Sequence, residues 1–459
     1  MAHRIQSCVN AALASVAVLF FSTATWGEPP SVRASDRLIV HEWGTFTSLH
    51  DENGNAIGGI NADDEPVPKF VHRIADFLVI GPNHMPALAK GAPHCHPHVT
   101  MRLETPVVYF HPPRGETLPM NVDLEVAFPS GWLSEYYPAA EVDAPGVKGH
   151  MSFGSITADT VGRLRWSNLQ VGTDAGSPET DSHVWLAPRE VKAANVTTPD
   201  GESEWYLFYR GVGKVGSPLR VARDSADQSL IITANFPLTQ LEQPIEYTVP
   251  AMWLVEIRED RSCAYRELDG FQVASDDEPR VVATSSDRFE ESDFAADNFT
   301  KLAADMRAAL IDDGLFADEA DALLGTWKLS YFQTPGLRLF YLLPRAWTDQ
   351  MLPMKLSRDA DIVRTMVGRI EIVTPEQRQL LSRVAAGPAS TAQWMRDAGK
   401  RTPPADYQAY QQLGRFCNAL VLDELNRRPT PALKNFVNNY GLWGFTPSDL
   451  AAAPAPAKK

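Results

Sequence analysis

The chemistry-bearing residues of this chain crowd into one stretch, 94–111, His-Cys-His-Pro-His-Val-Thr-Met-Arg-Leu-Glu-Thr-Pro-Val-Val-Tyr-Phe-His. It places His94, Cys95, His96, His98, Glu104 and His111 within eighteen residues. His96 and His98 are one residue apart, so in an extended segment their imidazoles project to the same face and can share one ion. His94 would lie roughly 13 Å from His98 in a fully extended run, at about 3.3 Å per residue. A bend at Pro93 or Pro97 is needed for all three to meet. Glu104 has the parity of His98 and offers an oxygen ligand or a base, and His111 can return from beyond Pro106. Imidazoles with a carboxylate suit zinc, copper, iron or nickel. The expected metal ligands are therefore His94, His96, His98 and His111, holding one transition metal ion. Cys95 beside them adds a redox option. The plainer reading is a solvated polar loop entering a strand.

A second pair, His41-Glu42, lies in Leu38-Ile-Val-His-Glu-Trp43. Strand alternation puts Leu38, Val40 and Glu42 on one face and Ile39, His41 and Trp43 on the other. Both members serve one site only where a bulge or strand end re-aims one of them, and Gly44 is placed to supply it. No second histidine follows four residues on, so the zinc-protease signature is absent. His41, Glu42 and Glu104 are the catalytic candidates. The order His-x-His, Glu, His is similar to the cupin pattern, but the interval from His98 to Glu104 is longer than that pattern allows and its glycines are missing. Gly211-Val-Gly-Lys-Val-Gly216 matches the dinucleotide fingerprint by letter, yet a strand-like Leu219-Arg-Val-Ala follows where a helix must begin. Asp51, Asn53 and Asn55 fit the start of a calcium loop, but Ala56 and Ala62 stand where glycine and glutamate are required. Asn53-Gly54 reads instead as a hairpin turn. Asp63-Asp-Glu65 reads as a solvated acidic loop, and no serine nucleophile elbow is present. Trp132, Tyr136 and Tyr137 could stack on a sugar ring; closing a core is the plainer role.

The elements that must position these groups change character along the chain. Up to about residue 280, short β-favouring runs alternate with turn residues: Leu38–Trp43, Thr45–Leu49, Val107–Phe110, Met120–Phe128, Arg163–Trp166, Glu204–Tyr209, Leu219–Ala222, Ser229–Phe236 and Met252–Arg258. This predicts a β-rich domain over 36–285, an antiparallel sandwich or irregular barrel. From 287 to 450 a mainly α-helical domain is expected. Phe299, Leu302, Ala303, Met306 and Leu310 make one helix face. Phe316, Ala320, Leu323, Leu324, Trp327 and Tyr331 make a second. Two β-like runs, Leu337–Leu343 and Gly368–Val373, interrupt them. Thr374-Pro-Glu-Gln377 is a helix start, and one long helix is expected over 405–427. The fold class is α+β. All 11 histidines lie at or before His183, so imidazole chemistry belongs to the β-rich half.

Residues 1–27 read as a signal peptide: Arg4, then an apolar run from Cys8 to Phe21, then small residues. The run is short for a membrane span, which needs about 20 apolar residues. The expected location is therefore periplasmic or extracellular, with no membrane span after cleavage. Ala451 to Lys459 read as a disordered tail. The formal net charge is −15, which argues against nucleic acid as a partner. Of 4 cysteines, Cys95, Cys263 and Cys417 lie beyond the leader. An oxidising compartment allows one disulfide and leaves one thiol over; the sequence leaves the pairing open.

His41-Glu-Trp-Gly-Thr-Phe-Thr-Ser48, Glu104-Thr-Pro-Val-Val-Tyr-Phe110 and Gly336-Leu-Arg-Leu-Phe-Tyr-Leu-Leu-Pro344 resemble segments of a family of large secreted bacterial proteins with no assigned activity. The first two motifs are typical of that family and the dense His-Cys-His-Pro-His run is not. The resemblance thus implies His41, Glu42, Glu104 and Tyr109 as the broader site. The function expected from sequence is an exported protein with a metal or acid/base site, of which metal-dependent hydrolysis is the leading chemistry. The alternative is a non-catalytic binding protein for a glycan, a small molecule or a protein partner.

Overall fold

Apolar, aromatic and β-branched residues fill Leu38–His50, and in the computed structural model they form one thirteen-residue strand, β1, with every residue buried. The structure describes residues 35–440 apart from 63–65, 76–78, 81–84, 87, 149–151, 235–245, 275–278 and 387–404. The signal-peptide and tail segments, and Asp63 to Glu65, lie outside the described residues.

β1 pairs on one side with β2 (Met101–His111), antiparallel, and on the other with β10 (Ala360–Ile372), parallel. Around these three the main sheet continues through β6 (Leu207–Gly213), β4 (Gly131–Tyr137) and β5 (Val161–Val171) to two short strands, Val196–Thr197 and Ser203–Glu204, at one end. It continues through β9 (Gly336–Leu342), β7 (Met252–Ile257) and β8 (Cys263–Leu268) to the other. β3 (Met120–Pro129) pairs with β5. A strand buried on both faces loses the polar alternation of a half-solvated one. The even face of β1 sends Leu38, Val40 and Phe46 into a core shared with Phe110, Trp166 and Leu339. The odd face sends Trp43 into a second core with Tyr109, Trp253 and Trp327, and Leu49 into a third.

Eight α-helices stand among the described residues. α1 (His183–Arg189), α2 (Asn298–Asp312) and α3 (Ala317–Phe332) supply Trp185, Leu302, Met306, Leu310 and Leu323 to the second core. α4 (Arg345–Met351) places Trp347 in the first. α5 (Pro375–Ala386), α6 (Ala405–Gln411), α7 (Cys417–Arg427) and α8 (Pro431–Tyr440) close the third with Leu381, Tyr410, Leu420 and Phe436. α5 begins as its sequence requires: Thr374 Oγ1 accepts the Gln377 amide at 3.3 Å and Gln377 Oε1 accepts the Thr374 amide at 3.0 Å.

The molecule is thus a mixed α/β protein whose strands dominate the N-terminal half. The C-terminal part is helical only in part. β9 and β10 belong to the same sheet as β1, and that sheet runs across the boundary expected near residue 287. The long helix expected over 405–427 is two helices. Gly414 takes φ +85° between them, a left-handed conformation that interrupts a helix at little cost only with glycine. The periodicity carried across the break because Tyr410, Leu413, Leu420 and Leu425 all face one core.

Candidate metal centre

The β1–β2 register sets the first two residues of the site. Ile39 lies opposite His111 and His41 opposite Tyr109. His41 and His111 are therefore diagonal neighbours on one face, with ring centroids 5.5 Å apart and nearly perpendicular. The third residue comes from the start of α3. Glu319 is the third residue of that helix, and its Oε2 accepts the Phe316 backbone N–H at 2.8 Å, which caps the helix end. The same carboxylate receives His41 Nδ1 at 2.6 Å and His111 Nε2 at 2.9 Å. The three side chains are 3%, 4% and 0% exposed. Phe316 closes the group, its ring centroid 4.5 Å from that of His41 and 5.0 Å from that of His111.

This donor set fits a first-row transition metal. Two imidazole nitrogens and a carboxylate oxygen all lie within 4.8 Å of one another. Donors about 2.0–2.2 Å from a tetrahedral ion lie roughly 3.3–3.6 Å apart, so the His41 contact at 2.6 Å and the His111 contact at 2.9 Å would both lengthen on binding. The Phe316 amide would then orient the carboxylate from behind. Burial alone would push the Glu319 carboxyl upward, but the hydrogen bonds from His111 and His41 outweigh it and hold the group down at about 2. The carboxylate is charged and ready to ligate over the whole neutral range.

The other candidates lie elsewhere. Glu42 faces the opposite side of β1, where it accepts the Tyr209 hydroxyl and meets Arg364 Nε at 2.5 Å; Arg364 also reaches Asp349 at 2.9 Å. The irregularity that Gly44 was expected to host is carried by β2. Two steps along β1, from Trp43 to Thr45, face three along β2, from Val107 to Glu104, and Thr105 takes φ +49°. Pro106 packs closely over Gly44: a Cβ there would sit 3.0 Å from the Pro106 Cα, a tight contact to which the neighbour would have to yield. The bulge turns Glu104 to the helical side of the sheet. There Arg102 Nε lies 2.8 Å away and Arg415 Nη2 3.0 Å away, so its charge is committed to two guanidiniums.

His94, His96 and His98 form no three-ligand group among the described residues. His96 Nε2 donates to the Gly154 carbonyl at 3.3 Å and its Nδ1 accepts the His98 amide at 3.2 Å. His98 Nδ1 lies 3.2 Å from both the amide and the carbonyl of Ile156. Burial, with His98 beside it, pushes His96 down to about 4. His96 and His98 are thus struts between the 94–98 loop and residues 154–156, whereas His94 Nε2 lies 3.7 Å from Cys95 Sγ. Trp132 is fully buried against His96 and Phe153, so it offers no stacking face. Tyr109 is also buried, donating to the Pro188 carbonyl at 3.0 Å.

Glu319 went unrecognised in the sequence. It stands 278 residues from His41, and its one local signal is an acidic residue at the third position of a helix whose neighbours Ala320 and Leu323 face inward. In comparison with known proteins, no family model and no curated protein matches this chain.

Proposed function

We propose that this is an exported metal-binding protein in which one divalent first-row ion is held by His41, His111 and Glu319, with zinc first among zinc, copper, iron and nickel. The observation that carries this reading is the convergence of two imidazoles and a charged carboxylate on a dry face of the sheet. Three protein ligands leave a fourth position on a tetrahedral ion. Bound there, an ion would lower the pKa of water and polarise a carbonyl or phosphoryl oxygen, the chemistry of metal-assisted hydrolysis. Phe316 decides how that position is used. Lying over both imidazoles, it excludes substrate, so the ion acts first as a clasp between α3 and the sheet. Hydrolysis requires Phe316 to move aside. Glu104 does not serve as the base, since Arg102 and Arg415 neutralise it. Export rests on the character of residues 1–27 and agrees with the resemblance to secreted bacterial proteins.

The test is elemental analysis of the protein purified from its export compartment without an affinity tag. About one equivalent of metal, lost in His41→Ala and His111→Ala, is the expected result. No metal, with none taken up on titration with zinc, copper, iron or nickel, overturns the reading.

The second reading, a binding protein, is favoured by a surface cleft of about 890 Å³. Arg223, Glu256, Arg288, Glu376 and Arg383 are among its lining residues. Such a wall suits a polar small molecule that carries both signs of charge. A thermal-shift screen of amino acids, short peptides and sugar acids tests it; binding lost in Arg383→Ala and Glu376→Ala would place the ligand there.

A further inference from the structure

On the face of the sheet that carries His41, the strand register builds a row of buried charge. Thr47 of β1 lies opposite Arg102 of β2 on one side and Arg369 of β10 on the other. Glu371, two residues further along β10, lies opposite Arg338 of β9. All four charged side chains are buried. Arg369 Nε at 2.7 Å and Arg338 Nε at 3.4 Å share the Glu371 carboxylate, as Arg102 and Arg415 share that of Glu104. Arg338 also donates to the carbonyls of Ser330, Tyr331 and Thr334 at the end of α3, at 3.2, 3.1 and 2.7 Å. Ion pairs this deep gain little over well-packed apolar side chains, so stability alone is a weak reason for the row. It also adjoins open space. Arg415 and Glu371 line a cavity of about 20 Å³, whose walls share Pro335, Gly336, Leu337, Gln377 and Gly414 with the 890 Å³ cleft. Gly336 is the threshold between them. A Cβ on it would sit 3.1 Å from Arg338 Nη2 and 3.4 Å from Glu371 Oε2, so a side chain there would close the approach to both groups.

We propose that the cleft binds a carboxylic acid and that the ligand's carboxylate enters this cavity beside Arg415 and Arg338, an inference that rests on the cleft being a binding site. Size selects the group. At about 10–15 Å³ for each water-sized group, the cavity takes one or two of them, which suits the two oxygens of a carboxylate and is too small for a phosphate or a sugar ring. The rest of the ligand lies in the cleft, against its wall of mixed charge. Charge selects the sign. Glu371 stands on the cavity wall, but Arg369 and Arg338 take up its charge. Burial lowers the Arg338 guanidinium to about 9; Glu371 opposes that, while Arg369 and Arg415 add to it. An entering anion relieves the repulsion among these three guanidiniums. A guanidinium facing a carboxylate also supplies charge-assisted hydrogen bonds, which are among the strong ones.

The experiment uses the full chain and acetate, the simplest stable probe of this group. Thermal unfolding is followed in rising acetate at constant ionic strength, with acetamide as the uncharged counterpart and inorganic phosphate as the larger anion. Acetate should raise the midpoint by roughly 1–2 °C at ten times its Kd, and acetamide and phosphate should not. Arg415→Gln, which leaves Glu104 paired with Arg102, should abolish the acetate response, and Arg383→Ala in the cleft wall should keep it. No acetate response in the wild type, an equal response to acetamide or phosphate, or a response that survives in Arg415→Gln overturns the proposal; the first two do not depend on a variant folding. The cleft is judged separately. A ligand from the thermal-shift screen that Arg383→Ala and Glu376→Ala abolish, but that binds equally as acid and as amide, keeps the cleft and removes the carboxylate seat.

Discussion

Two histidine groups in this molecule use the same residue types and are built in opposite ways. His94, His96 and His98 are neighbours in the chain, and the fold spends His96 and His98 on backbone groups of residues 154–156 while His94 meets the Cys95 thiol. His41, His111 and Glu319 come from two strands and a helix, and the fold turns all three toward one point. The difference teaches that ligand density along a sequence measures how little chain separates the donors, not whether they share a focus. A loop with Pro93 and Pro97 sends successive imidazoles to whatever backbone lies nearby. Two paired strands with a fixed register hold their diagonal neighbours at a set distance, and a helix end laid across them adds a third donor in a geometry its own cap enforces.

The comparison breaks most sharply on metal content. His41→Ala with His111→Ala should reduce bound metal from about one equivalent to background by elemental analysis. His96→Ala with His98→Ala should leave it unchanged; loss of metal in that second pair would reverse the assignment. Next in size is Glu319→Ala, which leaves two buried imidazoles facing each other without their carboxylate and uncaps α3. Urea unfolding should show a loss of about 3 kcal/mol, against about 1 kcal/mol for His98→Ala, which forfeits one hydrogen-bonding group at a partly exposed site. Gly44→Ala probes the frame that sets the register. Its Cβ would press on Pro106 and on Met366 Sδ, 3.2 Å away, at a cost of about 1–3 kcal/mol by the same measurement.

The smallest effect is the acid profile of the metal-free protein. The Glu319 carboxyl titrates at about 2 when folded, below its ordinary 4.5. Its contribution to stability is thus complete above 4.5 and disappears as pH falls from there through 2. Glu319→Gln should flatten that part of the stability curve and leave the neutral plateau sloping as before.

Much of the frame was legible because the physics behind it is local. The β-favouring run at Leu38 to Leu49, the helix faces of α2 and α3, and the Thr374–Gln377 cap all follow from neighbouring residues, and all appear in the structure. The opposite orientation of His41 and Glu42 was legible for the same reason, since strand alternation is a local rule. Two local signals misled. Apolar spacing continued through Gly414, because a helix break and a helix interior can present the same face to one core. The trio at His94 to His98 looked like a ligand set, because spacing says nothing about which backbone groups compete for the imidazoles.

The sequence by itself determined which residues could ligate, that His41 and His111 belong to β-favouring segments, and that two of Cys95, Cys263 and Cys417 could pair. Only the tertiary structure decided that β9 and β10 enter the sheet of β1. It alone set the β1–β2 register that makes His41 and His111 diagonal neighbours and brought Glu319 over them. The physical reason is range. Propensity, alternation and capping act over a few residues, whereas register and helix docking are fixed by apolar surfaces that meet only after the whole chain has closed around its cores.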